Sequence, residues 1–219
     1  MDDIWPEGEP SWLPGGAARF DERRLADIFR YEADLAAQLR HKHGRFLHSL
    51  SVGLTAERLA TAYGVDPYLA RVAGILHDWS KADDPAELTA RAEELGVRLS
   101  VDLSLVEPLL HGMVAARILP ARYPELPDSV WQAVDRHTLG AADMSPLDIV
   151  LFVSDGIEPR RKAVPAIERQ RAMVGVESLE DLFMASFCDG ISYIVATRRY
   201  LYPGTIAIYN DLVTTRPRP

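Results

Sequence analysis

The chain has 219 residues, of which 47% are hydrophobic and 26% charged, a balance that excludes a disordered polymer, a collagen-like repeat and a minimal disulfide scaffold. Asp and Glu outnumber Lys and Arg by 32 to 24, so the formal charge is −8; this argues against nucleic acid or anionic membrane as partners and requires a local basic pocket for any polyanionic ligand. With one cysteine, Cys188, no leader-like start, and apolar runs such as Ile149 to Val153 far short of the roughly 20 residues of a membrane span, a soluble cytoplasmic protein is expected, of open oligomeric state.

Residues 1–19 hold Pro6, Pro10, Pro14, a Gly15-Gly16 pair and two isolated tryptophans, Trp5 and Trp12, without a hydrophobic period, and read as an irregular arm. After Asp21, Leu25, Ile28, Phe29, Leu35, Ala36 and Leu39 fall on one helical stripe. A second helix is expected from about Arg45 to Tyr63, stopped by Gly64. Asp66-Pro67 then supplies an N-cap and a first-turn proline for a helix ending in His77-Asp78. Asp84-Pro85-Ala86-Glu87 opens a mostly polar helix that Gly96 can stop. Further helices should carry His111 to about Leu119, breaking near Pro120, and Val130 to His137, capped by Asp128. Ser145-Pro146 opens an apolar segment ending at Asp155, in which Ile149–Val153 reads equally as buried helix or strand. Residues 159–176 are Arg-rich and ambiguous, Leu182 to Ile194 fits a long helix, and Thr205 can cap a last turn through Leu212. Short loops, no hairpin signal and no repeat predict one all-α domain over residues 20–219, with the arm as accessory.

Four of the six histidines, His48, His77, His111 and His137, fall on apolar helices or at their ends, and Asp78 follows His77 directly. Imidazole and carboxylate hold divalent first-row metals without thiolates, and ligands from different helices can converge inside a bundle. The set is a candidate metal site. His41 and His43, beside Lys42, read as exposed residues outside it.

The order His48, His77-Asp78, His111, His137, Asp155 resembles that of the HD-domain metal-dependent phosphohydrolases. The match is nearest the YqeK family of symmetrical bis(5′-nucleosyl)-tetraphosphatases. It is carried by Arg45-x-x-His48-Ser49, His77-Asp78-x-x-Lys81, Leu110-His111-Gly112, His137-Thr138, Asp155-x-Ile157-Glu158-Pro159-x-Arg161, and Pro203-x-Thr205 with Asn210, over about residues 40–212. The resemblance implies an all-α HD-domain bundle that cleaves a dinucleoside tetraphosphate, such as diadenosine tetraphosphate, into two nucleoside diphosphates. It implies one or two divalent ions, iron first, with manganese, zinc, cobalt or nickel as alternatives. His48, His77, Asp78 and Asp155 become the metal ligands, with Asp78 and Lys81 in the catalytic set. His111 and His137 either hold a second metal or contact phosphate. Arg45 and Arg161 are phosphate-binding candidates, although a run such as Arg160-Arg161-Lys162 can equally be a solvated charge cluster. Thr138 can donate to phosphate or bond to its own helix. Glu158 can orient a ligand or pair with an arginine, and Tyr202 and Thr205 lie near the nucleotide or merely pack a helix end. Other substrates for the same ligand set are a nucleotide monoester, guanosine tetraphosphate or a cyclic nucleotide. A sensing module that binds nucleotide without turnover is the remaining alternative.

Overall fold

A computed structural model describes residues 4–5, 8–14 and 16–215. These residues form ten α-helices joined by loops and two 3-10 turns, and no strand occurs among them. In chain order the helices are α1 (Glu22–Gln38), α2 (His43–Tyr63), α3 (Pro67–Leu76), α4 (Pro85–Glu94), α5 (Leu110–Arg122), α6 (Asp128–Arg136), α7 (Pro146–Ile157), α8 (Pro165–Met173), α9 (Leu179–Ala196) and α10 (Pro203–Thr215).

Local chemistry sets most starts. Asp21, Asp66 and Asp84 each accept backbone N–H groups from the first turns of α1, α3 and α4, and Ser145 with Asp148 closes a capping box on α7. Gly64 ends α2 in the left-handed region, at φ 71°. Three expectations are corrected and one open reading is resolved. Asp128 is the first residue of α6, behind Pro127, and makes no cap bond. Pro120 lies inside α5, which runs on to Arg122. Thr205 is inside the first turn of α10, and does not cap it. Ile149–Val153 is helical throughout.

The stripe expected for α1 also shifts. Leu25 and Phe29 are 40% and 65% exposed, while Ile28, Tyr31, Leu35 and the following Leu39 are buried. Tyr31 goes inside because its hydroxyl donates to Glu125 Oε1 at 2.9 Å. The stretch Leu103–Arg122 is long and apolar enough to cross a membrane, but half of it is buried inside the protein and it bends at Val106. Of the arm, Pro6 and Gly15 lie outside the described residues; Trp5 and Leu13 are buried against the helices.

α2 and α3 form the centre, with α1, α6 and α7 packed on them, α5 on α6 and α9 on α7. Their crossing needs glycine. A Cβ at Gly74 would lie 2.6 Å from Gly53 Cα, so the two backbones touch there. This contact at the middle of α2 fixes how His48, five residues before it, faces His77 at the end of α3. A smaller apolar cluster, including Leu88, Ala92, Leu103, Val106 and Leu110, fills the space under α4 and α5.

Candidate metal centre and active site

Six side chains from five helices and their ends meet in one place. His48 comes from the first half of α2, His77 from the C-cap of α3 with Asp78 behind it, His111 from the first turn of α5, His137 from the C-cap of α6, and Asp155 from the last turn of α7. The four imidazoles are buried, and each is tied on its outer nitrogen. His77 Nδ1 lies 2.7 Å from Gly74 O, His111 Nδ1 3.0 Å from Pro108 O and His137 Nδ1 2.6 Å from Val134 O. His48 Nδ1 lies 3.0 Å from Glu158 Oε1. Carbonyl and carboxylate oxygens only accept, so each ring carries a proton on Nδ1 and turns its Nε2 inward.

Those inner nitrogens and the two carboxylates converge. His48 Nε2 lies 3.0 Å from Asp155 Oδ1, His77 Nε2 3.3 Å from Asp78 Oδ2 and His111 Nε2 3.0 Å from Asp78 Oδ1. His48, His77 and Asp155 form one triad, and His77, Asp78 and His137 a second, each with ligand atoms within 4.8 Å of one another. Two observations show that the set fits a metal. His48 Nε2 is buried without a well-directed hydrogen bond. His111 Nε2 and His137 Nε2 face each other at 3.0 Å with both Nδ1 protons committed elsewhere, a contact that a shared cation relieves. All-imidazole and carboxylate ligation suits a divalent first-row ion, and the two triads sharing His77 can accommodate one ion or two.

In the metal-free chain burial favours neutral imidazoles at His111 and His137 beside ionised carboxylates. Burial pushes His137 down to about 3 and lowers His111. Burial works against the Asp78 carboxylate, but the facing His77 and His111 hold it well below the usual range. For Asp155 burial is likewise outweighed, first by Arg161 and then by His48. His48 is the exception. Burial lowers it, and the adjoining carboxylates of Asp155 and Glu158 overcome that and raise it to about 9.

Cations and an apolar cavity flank the centre on two sides. Arg45 Nη1 donates to Asp78 Oδ2 at 2.8 Å, and Arg161 reaches Asp155 through both its carboxylate and its backbone oxygen. Together with His48 and Arg160 they line an open pocket of about 240 Å³. Lys81 Nζ donates to Pro108 O at 3.2 Å, and burial lowers its pKa against the pull of Asp78. On the side of His111 and His137 lies a cavity of about 430 Å³ whose walls include Thr138, Phe187, Arg199, Tyr202 and Thr205. Thr138 Oγ1 donates to Leu109 O, joining the ends of α6 and α5, and makes no bond within its own helix. His41 and His43 are exposed.

Sequence reasoning left Glu158 with two roles, and the structure turns it toward a histidine: it is 1% exposed, with Oε1 on His48 and Oε2 accepting from Ser51 Oγ at 2.6 Å and Arg160 N at 2.7 Å. The link between Ser51 and Trp5 spans 46 residues, so no local pattern marks it.

Three comparisons bear on this arrangement. The HD domain family model matches residues 45–160. A protein from Halalkalibacterium halodurans named bis(5′-nucleosyl)-tetraphosphatase, symmetrical, is 31% identical over 77% of this chain and 89% of its own. Proteins of the same name from Staphylococcus aureus and Bacillus subtilis are 32% and 27% identical over 77% and 78% of this chain, and 83% and 90% of their own. A solved structure from Clostridium acetobutylicum, described as an HD superfamily hydrolase involved in NAD metabolism, superposes with a TM-score of 0.75 at 28% identity. It covers 92% of this chain and all of its own.

Proposed function

The chain belongs to the HD domain family and, within it, to the family of symmetrical bis(5′-nucleosyl)-tetraphosphatases, and from that premise we propose that it hydrolyses a dinucleoside tetraphosphate, such as diadenosine tetraphosphate, to two nucleoside diphosphates. The observation that carries this reading is the position of the histidine and aspartate cluster, with arginines along one side and a largely apolar cavity on the other. A polyphosphate flanked by nucleosides has that same alternation of anionic and apolar parts.

His48, His77, Asp78 and Asp155 are the ligands of the principal ion, and iron is the ion proposed. His111 and His137 complete a second position in preference to donating to phosphate, because their Nε2 atoms carry no proton to donate. These residues would hold a divalent ion, which would supply Lewis-acid polarisation of a phosphoryl oxygen and a water acidic enough to attack near neutral pH. Water adds to one of the two inner phosphorus atoms, the central P–O bond breaks, and the departing nucleoside diphosphate keeps the bridging oxygen. Arg45, Arg161 and Lys81 offset the negative charge that gathers on the phosphates, the two guanidiniums by paired hydrogen bonds and the lysine as a compact charge. Asp78 and Asp155 orient those arginines when the substrate is away. Thr138, Tyr202 and Thr205 belong to the wall against which one nucleoside packs. Residues 20–219 act as one catalytic domain with the arm laid along it, and the nucleotide substrate and the free thiol of Cys188 support a cytoplasmic location.

His77→Ala and Asp78→Ala should each abolish most hydrolysis of diadenosine tetraphosphate while circular dichroism shows helicity retained. Wild-type rates in either variant would remove the reading.

A further inference from the structure

The N-terminal arm reaches the metal centre through a chain of buried hydrogen bonds. Trp5, 8% exposed, donates its indole N–H to Ser51 Oγ at 3.1 Å. Ser51 Oγ donates to Glu158 Oε2 at 2.6 Å, and Glu158 Oε1 holds His48 Nδ1 at 3.0 Å. The direction of this relay is dictated by its first member. An indole nitrogen only donates, so it occupies the acceptor side of the serine hydroxyl and leaves that hydroxyl's one proton for Glu158. The second donor to Glu158 Oε2 is the backbone N–H of Arg160, and the Arg160 guanidinium in turn donates to Ile4 O at 3.2 Å. Residues 4 and 5 thus bond to both residues that donate to the outer oxygen of Glu158.

We propose that Trp5, with Ser51 as its intermediary, is a positioning residue for the metal centre: the arm fixes the Glu158 carboxylate, and Glu158 fixes the tautomer and ring orientation of His48. This rests on reading His48 as a metal ligand. Partners of ligating histidines set ligand basicity and orientation, and their loss typically costs about 10- to 100-fold in metal affinity. The arm therefore acts on the affinity of the centre, in addition to covering α2.

The test is a titration of the metal-free full chain with cobalt(II), read by its visible absorption and by competition with a chelator, beside a melting curve of each metal-free protein. Trp5→Phe keeps the buried ring and removes only the N–H. Ser51→Ala, one bond further out than the direct partner Glu158, should weaken cobalt binding by up to about 10-fold, the low end of the range for direct partners, and Trp5→Phe should weaken it in the same direction by less. The double variant should bind no more weakly than Ser51→Ala alone, since both lie on one path. Lower melting temperatures with unchanged cobalt affinity would mean that the arm only packs, and would overturn the proposal. His48→Ala separates the two levels. If it binds cobalt like wild type, the metal reading of His48 falls and the proposal with it; if it loses cobalt while the Trp5 and Ser51 variants do not, the proposal alone falls.

Discussion

Replacing Gly74 by alanine should pry apart the two helices that carry His48 and His77. The new Cβ would meet Gly53 Cα at 2.6 Å, Gly53 N at 2.7 Å and the Val52 carbonyl carbon at 3.0 Å, all backbone atoms that no rotamer change can clear. Bringing the nearest of these to 3.4 Å, where ordinary contact begins, requires a separation of about 0.8 Å. Functional sites tolerate about 0.5 Å of displacement, and the crossing lies three residues from His77 and five from His48. Overpacking of this kind costs about 1–3 kcal/mol, and at about 2–4 °C per kcal/mol for a domain of this size the metal-free protein should melt about 2–12 °C lower. Cobalt affinity should fall with it. Gly190→Ala is the counterpart, because a Cβ there meets nothing within 4 Å and the residue is exposed inside α9. That variant should gain roughly 0.5–1 kcal/mol. Differential scanning calorimetry with a cobalt titration decides the matter. A Gly74→Ala protein with wild-type melting temperature and wild-type cobalt affinity would refute the idea that this crossing sets the geometry of the centre.

Arg45→Gln should lower kcat/KM for diadenosine tetraphosphate by about 10- to 100-fold, the loss of one charge-assisted hydrogen bond of about 1.5–3 kcal/mol. Steady-state kinetics at fixed ionic strength would check it. Acid should destabilise the metal-free chain through His137. Its native value of about 3 lies below the unfolded value near 6.5, so between those limits only the unfolded chain takes up the proton and stability falls as pH falls. Urea midpoints measured down that window should drop less steeply in His137→Gln than in wild type. Arg71 sits between Glu57 at 3.2 Å and Glu32 at 2.8 Å. Arg71→Ala strands a buried carboxylate, which costs about 3–5 kcal/mol, and thermal melts should fall by about 6–20 °C.

The parts of the fold legible in the sequence are those specified locally. Asp66-Pro67, Asp84-Pro85 and Ser145-Pro146 each combine a cap side chain with a first-turn proline, and the helices begin there. α8 was illegible because its buried residues are polar. Gln170 bonds to Asp189, and Arg171 donates to Ile157 O and Glu158 O, so no apolar stripe marks the helix. Leu25 and Phe29 on α1 misled for the converse reason: the inward face is chosen by Tyr31, whose partner Glu125 is distant in the chain. The six converging side chains could be picked out by their order, since each type has its own chemistry. What the order could not convey is orientation. Which ring nitrogen faces inward depends on carbonyls three residues back for His77, His111 and His137, and for His48 on a glutamate 110 positions away. Ser51 and Trp5 carry no signal of their own, and their role exists only once α2, the arm and the end of α7 are packed together.

The most direct test of the central claim is to purify the protein without oxygen, quantify its bound metals, and follow its products from diadenosine tetraphosphate by anion-exchange chromatography. The account predicts ADP as the sole product, formed only when iron or a replacement divalent ion is bound. AMP with ATP, or no turnover by the metal-loaded protein, would contradict it.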